Sequence, residues 1–291
     1  MAIATTLKSL ARGIGRLPGA SQLLSIPPIH NALARLPGAS HLLTGAAAVM
    51  PWNRLHPFDI RHGTDTSGFV SVGDLAGLGD ETARADAAPY GGSQPSIVRS
   101  VLAVLPPLDS FTFVDIGCGK GRPLLVASEF PFRDIVGVEL SAPLAQTAQR
   151  NADVIAERFP QRPPIRVVVE DARRFVLPAG NLVLFLYNPF GDEAVSGVAE
   201  SVEAALAQQQ RTVFVVYYNP VFGHRFDACS QLHRHFAATL PYAAEELGYG
   251  PDAEDPVVVW QAGVALVPGS DAADARFEIV DPRYRVRLVP A

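Results

Sequence analysis

The sequence predicts an α/β protein built on a doubly wound, mostly parallel sheet. Five short apolar runs carry this expectation: Phe111 to Val114, Ile135 to Val138, Ile165 to Val169, Leu182 to Tyr187 and Val213 to Tyr218. None shows the polar alternation of a half-wet strand, so each reads as a strand covered on both faces. Amphipathic helical segments separate several of them, and a glycine-rich string follows the first run and opens a helix.

In chain order, residues 1–58 hold Lys8, Arg12, Arg16, Arg35 and Arg54 and no acidic residue. Within them Arg16-Leu-Pro-Gly-Ala-Ser, followed by Leu23 and Leu24, returns 19 residues later as Arg35-Leu-Pro-Gly-Ala-Ser with Leu42 and Leu43. Each copy reads as a short amphipathic helix closed by Pro-Gly, and two copies fall short of a solenoid. The expectation is a basic helical arm that docks on the body, lies on a membrane surface or serves as a targeting segment. Residues 59–93 are rich in Gly, Asp, Ser and Thr, which is loop chemistry, and read as a lid or acceptor-binding segment.

From Ser96 the apolar positions Ile97, Val98, Val101, Leu102 and Leu105 recur at helical spacing and stop at Pro106-Pro107. Ser141, followed by Pro143, opens a second helix that ends before Pro160. A third starts with Asp192-Glu193 and buries Val195, Val198, Val202 and Leu206. Residues 257–267 and the alternating Arg285, Val286, Arg287, Leu288 read as late strands, the last with one wet face. The main domain is therefore expected at 94–267, with 268–291 as a C-terminal strand extension. In such sheets ligands sit at the carboxyl ends of the strands.

Composition narrows the function. The chain has 291 residues, of which 48% are hydrophobic, and only 2 cysteines. A disulfide framework is excluded, and a reducing compartment such as the cytoplasm is expected. The longest apolar windows, such as Gly45 to Trp52, fall short of the roughly 20 residues a membrane span requires. Residues 59–291 hold 19 Lys and Arg against 29 Asp and Glu, a balance that argues against nucleic acid as a partner.

The most informative string is Phe113-Val-Asp115-Ile-Gly117-Cys-Gly119-Lys-Gly121-Arg. Its glycines allow a tight turn and a close backbone approach to a ligand at a helix N-terminus. A dinucleotide fingerprint, Gly-x-Gly-x-x-Gly, requires glycine at position 122, where Arg122 stands. The string resembles instead the first motif of class I S-adenosylmethionine-dependent methyltransferases, and the likeness, closest to uncharacterised bacterial members, spans about residues 94 to 265. The resemblance implies that family's Rossmann-like sheet and S-adenosyl-L-methionine as cofactor. It puts Gly117, Gly119 and Gly121 under the methionine and ribose, and Asp115 at the amino end. A buried acid is tolerated beside a cationic sulfonium and ammonium, whereas a pyrophosphate would repel it.

The second strand ends in Glu139, 24 residues after Asp115, where a carboxylate can accept from both ribose hydroxyls. The third ends in Glu170-Asp171, and the resemblance assigns Asp171 to the adenine amino group. Tyr90, just before the first helix of the domain, is placed to close the pocket from above. The fourth strand ends in Tyr187-Asn188-Pro189-Phe190, which resembles amino-group methyltransferases that carry Asn or Asp, two prolines and an aromatic residue here. There the Asn carboxamide accepts from the acceptor amine and the aromatic ring covers the methylated group. This chain has one proline rather than two. The fifth strand ends similarly, in Tyr217-Tyr218-Asn219-Pro220.

Other chemistry-bearing residues read as structural. His224, Cys229, His233 and His235 suggest zinc, but on a helix His233 and His235 would diverge, and no metal is expected. Cys118 reads as a small packing residue, and Lys120 and Arg122 as solvated charges at a helix start. The expected activity is methyl transfer from S-adenosylmethionine to an amine, with oxygen second, of a small-molecule or protein acceptor. Two alternatives stay open. An NAD-dependent oxidoreductase would share Glu139 and the sheet. A non-catalytic cofactor-binding protein would use the basic arm as its working part.

Overall fold

The computed structural model describes residues 54–76, 78, 81–250, 252–263, 275–281 and 285–289. The duplicated segment of the expected arm, within residues 1–53, lies outside the described residues.

Seven strands make one sheet: β1 Phe111–Ile116, β2 Asp134–Glu139, β3 Ile165–Val169, β4 Asn181–Tyr187, β5 Val213–Tyr218, β6 His233–Pro241 and β7 Glu254–Ala262. Their order is β3-β2-β1-β4-β5-β7-β6. The first five are parallel, and β7 runs antiparallel to both β5 and β6. This is the doubly wound, mostly parallel sheet that the apolar runs predict. The order reverses between β1 and β4, and a crevice opens at such a switch point.

Successive side chains of a strand point to opposite faces, and here both faces are covered. Phe113, Phe185 and Phe214 pack with helices α3 Pro95–Ala103, α4 Arg122–Ala127 and α5 Ala142–Arg158 through Ile97, Leu124 and Ala148. Val114, Leu184 and Val215 pack on the other face with Val195, Val198 and Val202 of α6 Asp192–Gln208. Each such large side chain, moved from water to full burial, stabilises the fold by roughly 1.5–3 kcal/mol. Ser141 stands at the N-cap of α5 as expected, without a side-chain capping bond. The first turn of α6 receives its cap from elsewhere: Asp86, at the end of helix α2 Glu81–Asp86, accepts from the Ala194 amide at 2.9 Å.

Four features depart from the sequence expectation. β3 is an edge strand, with Val169 58% exposed, so only one flank of its apolar run is paired. β6 was not anticipated at all, because His233-Arg-His-Phe lacks an apolar run; it places His233 and His235 on a strand rather than a helix. The strand expected at 257–267 starts earlier, as β7 Glu254–Ala262, and 264–267 lie outside the described residues. The boundary expected between 58 and 59 falls inside helix α1, Pro57–His62, whose Phe58 is buried in the main core. Beyond the sheet, β8 Arg276–Asp281 and β9 Arg285–Val289 pair as a hairpin, with Val286 buried between exposed Arg285 and Arg287.

Candidate functional site

The carboxyl ends of β1, β2, β3 and β4 surround a cleft with about 970 Å³ of empty space, mouth included. Its floor is the loop after β1 together with Glu139 and Asp171, and its roof is the segment Ala87 to Ser93. Leu75, Leu78 and Leu144 form an apolar wall. The roof is stitched to the exit of β4 by a bridge between Ala87 and Phe190 and by the Gly191 amide, which donates to the Asp86 carbonyl at 2.7 Å.

The glycines of the floor are required by close approach and by left-handed backbone. Gly117 and Gly119 have φ of 77° and 54°. A Cβ on Gly117 would lie 2.4 Å from Cβ of Pro189, and one on Gly119 would lie 2.4 Å from the Tyr90 ring. Glycine here lets Pro189 and Tyr90 rest directly on the loop, so Tyr90 does roof it. Its hydroxyl donates to the Thr66 carbonyl at 2.7 Å, which fixes the ring. Gly121 differs from expectation. It starts α4, does not line the cleft, and faces Ala148 of α5, whose Cβ would be 3.1 Å from an added Cβ. Its small size serves helix packing.

The loop uses its amides internally. Those of Gly117 and Cys118 donate to the Val138 carbonyl at 2.9 and 3.0 Å, that of Gly121 to the Cys118 carbonyl at 2.8 Å, and that of Gly119 to Glu139 Oε2 at 2.8 Å. These four donors are not directed at an anion, as a phosphate-binding turn would direct them.

Two buried carboxylates line the floor instead. Asp115 is 1% exposed, and its Oδ2 has no hydrogen-bond partner. Burial, and then the nearby Glu139, push its carboxyl well above the usual carboxylate range. Glu139 accepts from the Gly119 and Ser141 amides, one on each oxygen, at 2.8 Å. Burial still raises its carboxyl against those bonds. One lone pair on each Glu139 oxygen is left for further donors. Asp171 reaches the cleft, but Arg173 holds its carboxylate, Nη2 to Oδ2 at 2.6 Å and Nε to Oδ1 at 3.0 Å. That pairing keeps Asp171 below the usual range.

Pro189 and Phe190 line the cleft, whereas Asn188 does not. Asn188 is buried with φ of 38°, and its Oδ1 accepts from the Tyr217 hydroxyl at 3.3 Å. The carboxamide expected to face an acceptor amine is thus engaged by Tyr217, where the left-handed backbone directs it. Asn219, at the end of β5, repeats the conformation with φ of 51° and accepts from the Val286 amide. Asparagine tolerates this region better than most residues, which is why both Asn-Pro strings end strands in the same way.

Sequence reasoning missed the lock that holds the roof. Arg122, read as solvated, is 3% exposed and donates to Thr66 Oγ1, the Thr66 carbonyl and the Ser93 carbonyl at 2.7–2.9 Å. Asp59 is buried 3.9 Å from it and accepts from Thr64, Thr66 and Ser67. Burial alone would raise the Asp59 carboxyl, but Arg122 and these hydrogen bonds together hold it below the usual range. His56, kept neutral by burial and by Arg122, caps α1 by accepting from the Phe58 amide at 3.1 Å. Lys120 is also engaged, with Asp65 and the Ser67 carbonyl at 2.8 and 2.7 Å. Among the described residues, no group of three or more His, Cys, Asp or Glu is arranged to hold a metal ion, and no helix is long and apolar enough to cross a membrane. Cys118 is buried at the cleft, and burial raises its thiol well above the usual value.

No family model and no curated protein matches the chain. Solved structures similar to it include the glycopeptide N-methyltransferase MtfA complexed with S-adenosyl-L-methionine, at 14% identity and TM-score 0.43, covering 59% of this chain and 95% of that one. A StiE O-MT fragment, residues 961-1257, aligns at 12% identity and TM-score 0.41 over 60% of this chain and 75% of its own. The 23S rRNA methyltransferase ErmE aligns at 15% and 0.40, over 62% and 72%. The functional reading has to come from this chain's own cleft.

Proposed function

We propose that the chain is an S-adenosylmethionine-dependent methyltransferase acting on an amine, with oxygen second, of a small-molecule or protein acceptor. The observation that carries this reading is Asp115 Oδ2, buried and without a partner in a cleft whose second acid is Glu139. A buried unpaired acceptor is costly, and a ligand that brings a cationic donor relieves it. A pyrophosphate would meet two acids and amides already engaged, so the nicotinamide alternative has no support in the floor.

The residues present fit the cofactor. Asp115 would hold its ammonium group, Glu139 its ribose hydroxyls, and the wall of Leu75, Leu78 and Leu144 its purine. Asp171 would meet the adenine amino group only by sharing its oxygens with Arg173. When bound, S-adenosylmethionine supplies an electrophilic methyl group on a cationic sulfur. The chain's own part is to orient and to exclude water: Tyr90, Pro189 and Phe190 cover the loop, and Arg122 keeps the roof in place. The Asn188 carboxamide, engaged with Tyr217, does not favour amine over oxygen, so that preference rests on the Asn-Pro-Phe string alone.

The test is a thermal-shift comparison of S-adenosylhomocysteine with NADH, beside a mass spectrum of the purified protein for retained nucleoside. A ligand at a hundred times its Kd adds about 2.7 kcal/mol, hence several degrees. Stabilisation by S-adenosylhomocysteine alone is expected. A shift with NADH and none with S-adenosylhomocysteine would overturn the reading, and cofactor binding without turnover on any acceptor would leave a binding protein.

A further inference from the structure

We infer that Asp86, just ahead of the roof, and not the strand-end acid Asp171, accepts from the exocyclic amino group of the bound purine. This rests on the cofactor reading and adds to it the residue that makes the site choose a 6-aminopurine. Asp86 closes α2, is half-buried and lines the cleft. Ala87, the next residue, packs against the wall of Leu75, Leu78 and Leu144. A purine lying on that wall therefore has the Asp86 carboxylate near its edge.

Asp171 has no lone pair to spare. Its Oδ1 accepts from the Arg173 amide at 2.9 Å and from Arg173 Nε at 3.0 Å, and its Oδ2 from Nη2 at 2.6 Å and Nε at 3.1 Å. A carboxylate oxygen has two lone pairs, so both oxygens are filled. Asp86 differs. Its Oδ2 accepts from the Ala194 amide at 2.9 Å, but no group among the described residues donates to its Oδ1.

Helix capping does not account for an acid at this place. Serine or asparagine caps a helix as well as aspartate does, and the first turn of α6 already holds Asp192 and Glu193. Burial raises the Asp86 carboxyl, the Ala194 bond opposes that rise, and Glu193 and Asp192 add to it. A third carboxylate here is disfavoured until a donor reaches it. Gly191 gives independent support. Its φ of −74° suits any residue, so its backbone does not ask for glycine. An added Cβ would instead collide with Asp86 Oδ1, and the glycine keeps room for that oxygen at the exit of β4.

In this arrangement the purine amino group donates to Asp86 Oδ1 while Oδ2 keeps the cap of α6. The contact falls on the seam between roof and floor, where the Gly191 amide donates to the Asp86 carbonyl and the Ala88 amide to the Pro189 carbonyl at 3.3 Å. A 6-oxopurine brings an acceptor to the same oxygen and is rejected.

The experiment measures, by calorimetry on the full chain, the affinities of 5′-methylthioadenosine, 5′-methylthioinosine and S-adenosylhomocysteine. Wild type is expected to prefer the amino purine to the oxo purine by roughly tenfold or more, the scale of a hydrogen bond to a charged group. Asp86→Asn keeps an oxygen for the Ala194 amide and turns its N–H₂ to the base, so the preference should vanish or reverse. Gly191→Ala should displace Oδ1 and erode the preference from a different residue. Asp171→Asn and Glu170→Gln, at the other acids of this end of the cleft, should retain it. A wild type without the preference, a preference that survives Asp86→Asn, or one lost in Asp171→Asn or Glu170→Gln overturns the assignment. Should Asp86→Asn not fold, Gly191→Ala decides alone. S-adenosylhomocysteine separates the two ideas. If it binds no tighter than 5′-methylthioadenosine, the cofactor reading fails while the preference still tests Asp86; if it binds tighter and the preference is absent, the Asp86 assignment alone fails.

Discussion

Replacing Asp115 by asparagine keeps the shape of the cleft floor and removes one charge. In the ligand-free protein Oδ2 of Asp115 has no partner, and an orphaned buried acceptor costs about 1–3 kcal/mol. The new amide brings an N–H₂ that is itself short of acceptors, so part of the gain is lost. A net stabilisation of about 1 kcal/mol remains, or roughly 2–4 °C for a chain of this size. The gain depends on pH. Because its carboxyl is raised, folded Asp115 keeps its proton longer than the unfolded chain does. Wild type therefore loses stability as pH climbs from about 4 toward that raised value, and the variant does not. Scanning calorimetry at pH 5 and pH 8 should show the variant's advantage growing. Binding should move the other way. Loss of a charged hydrogen bond costs about 1.5–3 kcal/mol, or roughly 10- to 150-fold in Kd for S-adenosylhomocysteine. 5′-Methylthioadenosine, which lacks the amino-acid end, should bind both proteins alike. Equal weakening of the two ligands, or a variant destabilised at every pH, would show that Asp115 is structural and does not meet an ammonium group.

Asn188→Ala should cost about 2–4 kcal/mol in urea denaturation, because it strands the Tyr217 hydroxyl and puts alanine at a left-handed φ, while S-adenosylhomocysteine affinity stays unchanged. Lower affinity at unaltered stability would return Asn188 to the cleft. Asp59→Asn should cost about 3 kcal/mol at pH 7, where Arg122 loses its buried counter-charge. Since the Asp59 carboxyl is held low, its contribution is present above about pH 4 and lost as pH falls through the folded value. The cost should shrink by pH 3, and an equal cost at both pH values would mean that charge is not its source.

What could be read from the sequence was what local patterns encode. β1, β2, β4 and β5 are buried on both faces, so their interiors are apolar apart from Thr112 and Asp115 and announce themselves. The glycine string and Glu139 were legible because strand ends in this topology converge on one crevice. β6 was not, because its buried residues are only His235 and Ala237, set among half-buried Arg234, Phe236 and Ala238, which makes no apolar run. The lock of Arg122 on Asp59 and Thr66 was out of reach for a different reason. Its members lie about sixty positions apart in an otherwise ordinary loop, and a lone arginine after a glycine run is usually wet. The direction of Asn188 depended on one backbone angle, which an Asn-Pro pair permits but does not dictate.

The roof of the cleft has a consequence for how the protein is made. The segments that flank it leave the ribosome before any strand of the floor, yet two of their anchors lie almost at the other end of the chain. Arg54 donates to the Gly248 carbonyl at 2.6 Å, a separation of 194 residues, and the Ser96 amide to Glu246 at 2.9 Å, a separation of 150. Contacts this distant form late, because the intervening chain must first be closed into a loop. A nascent chain that stops short of residue 246 therefore lacks both contacts and, without β7, leaves β6 unpaired. Closure of the segments that flank the roof is then an event of completed synthesis.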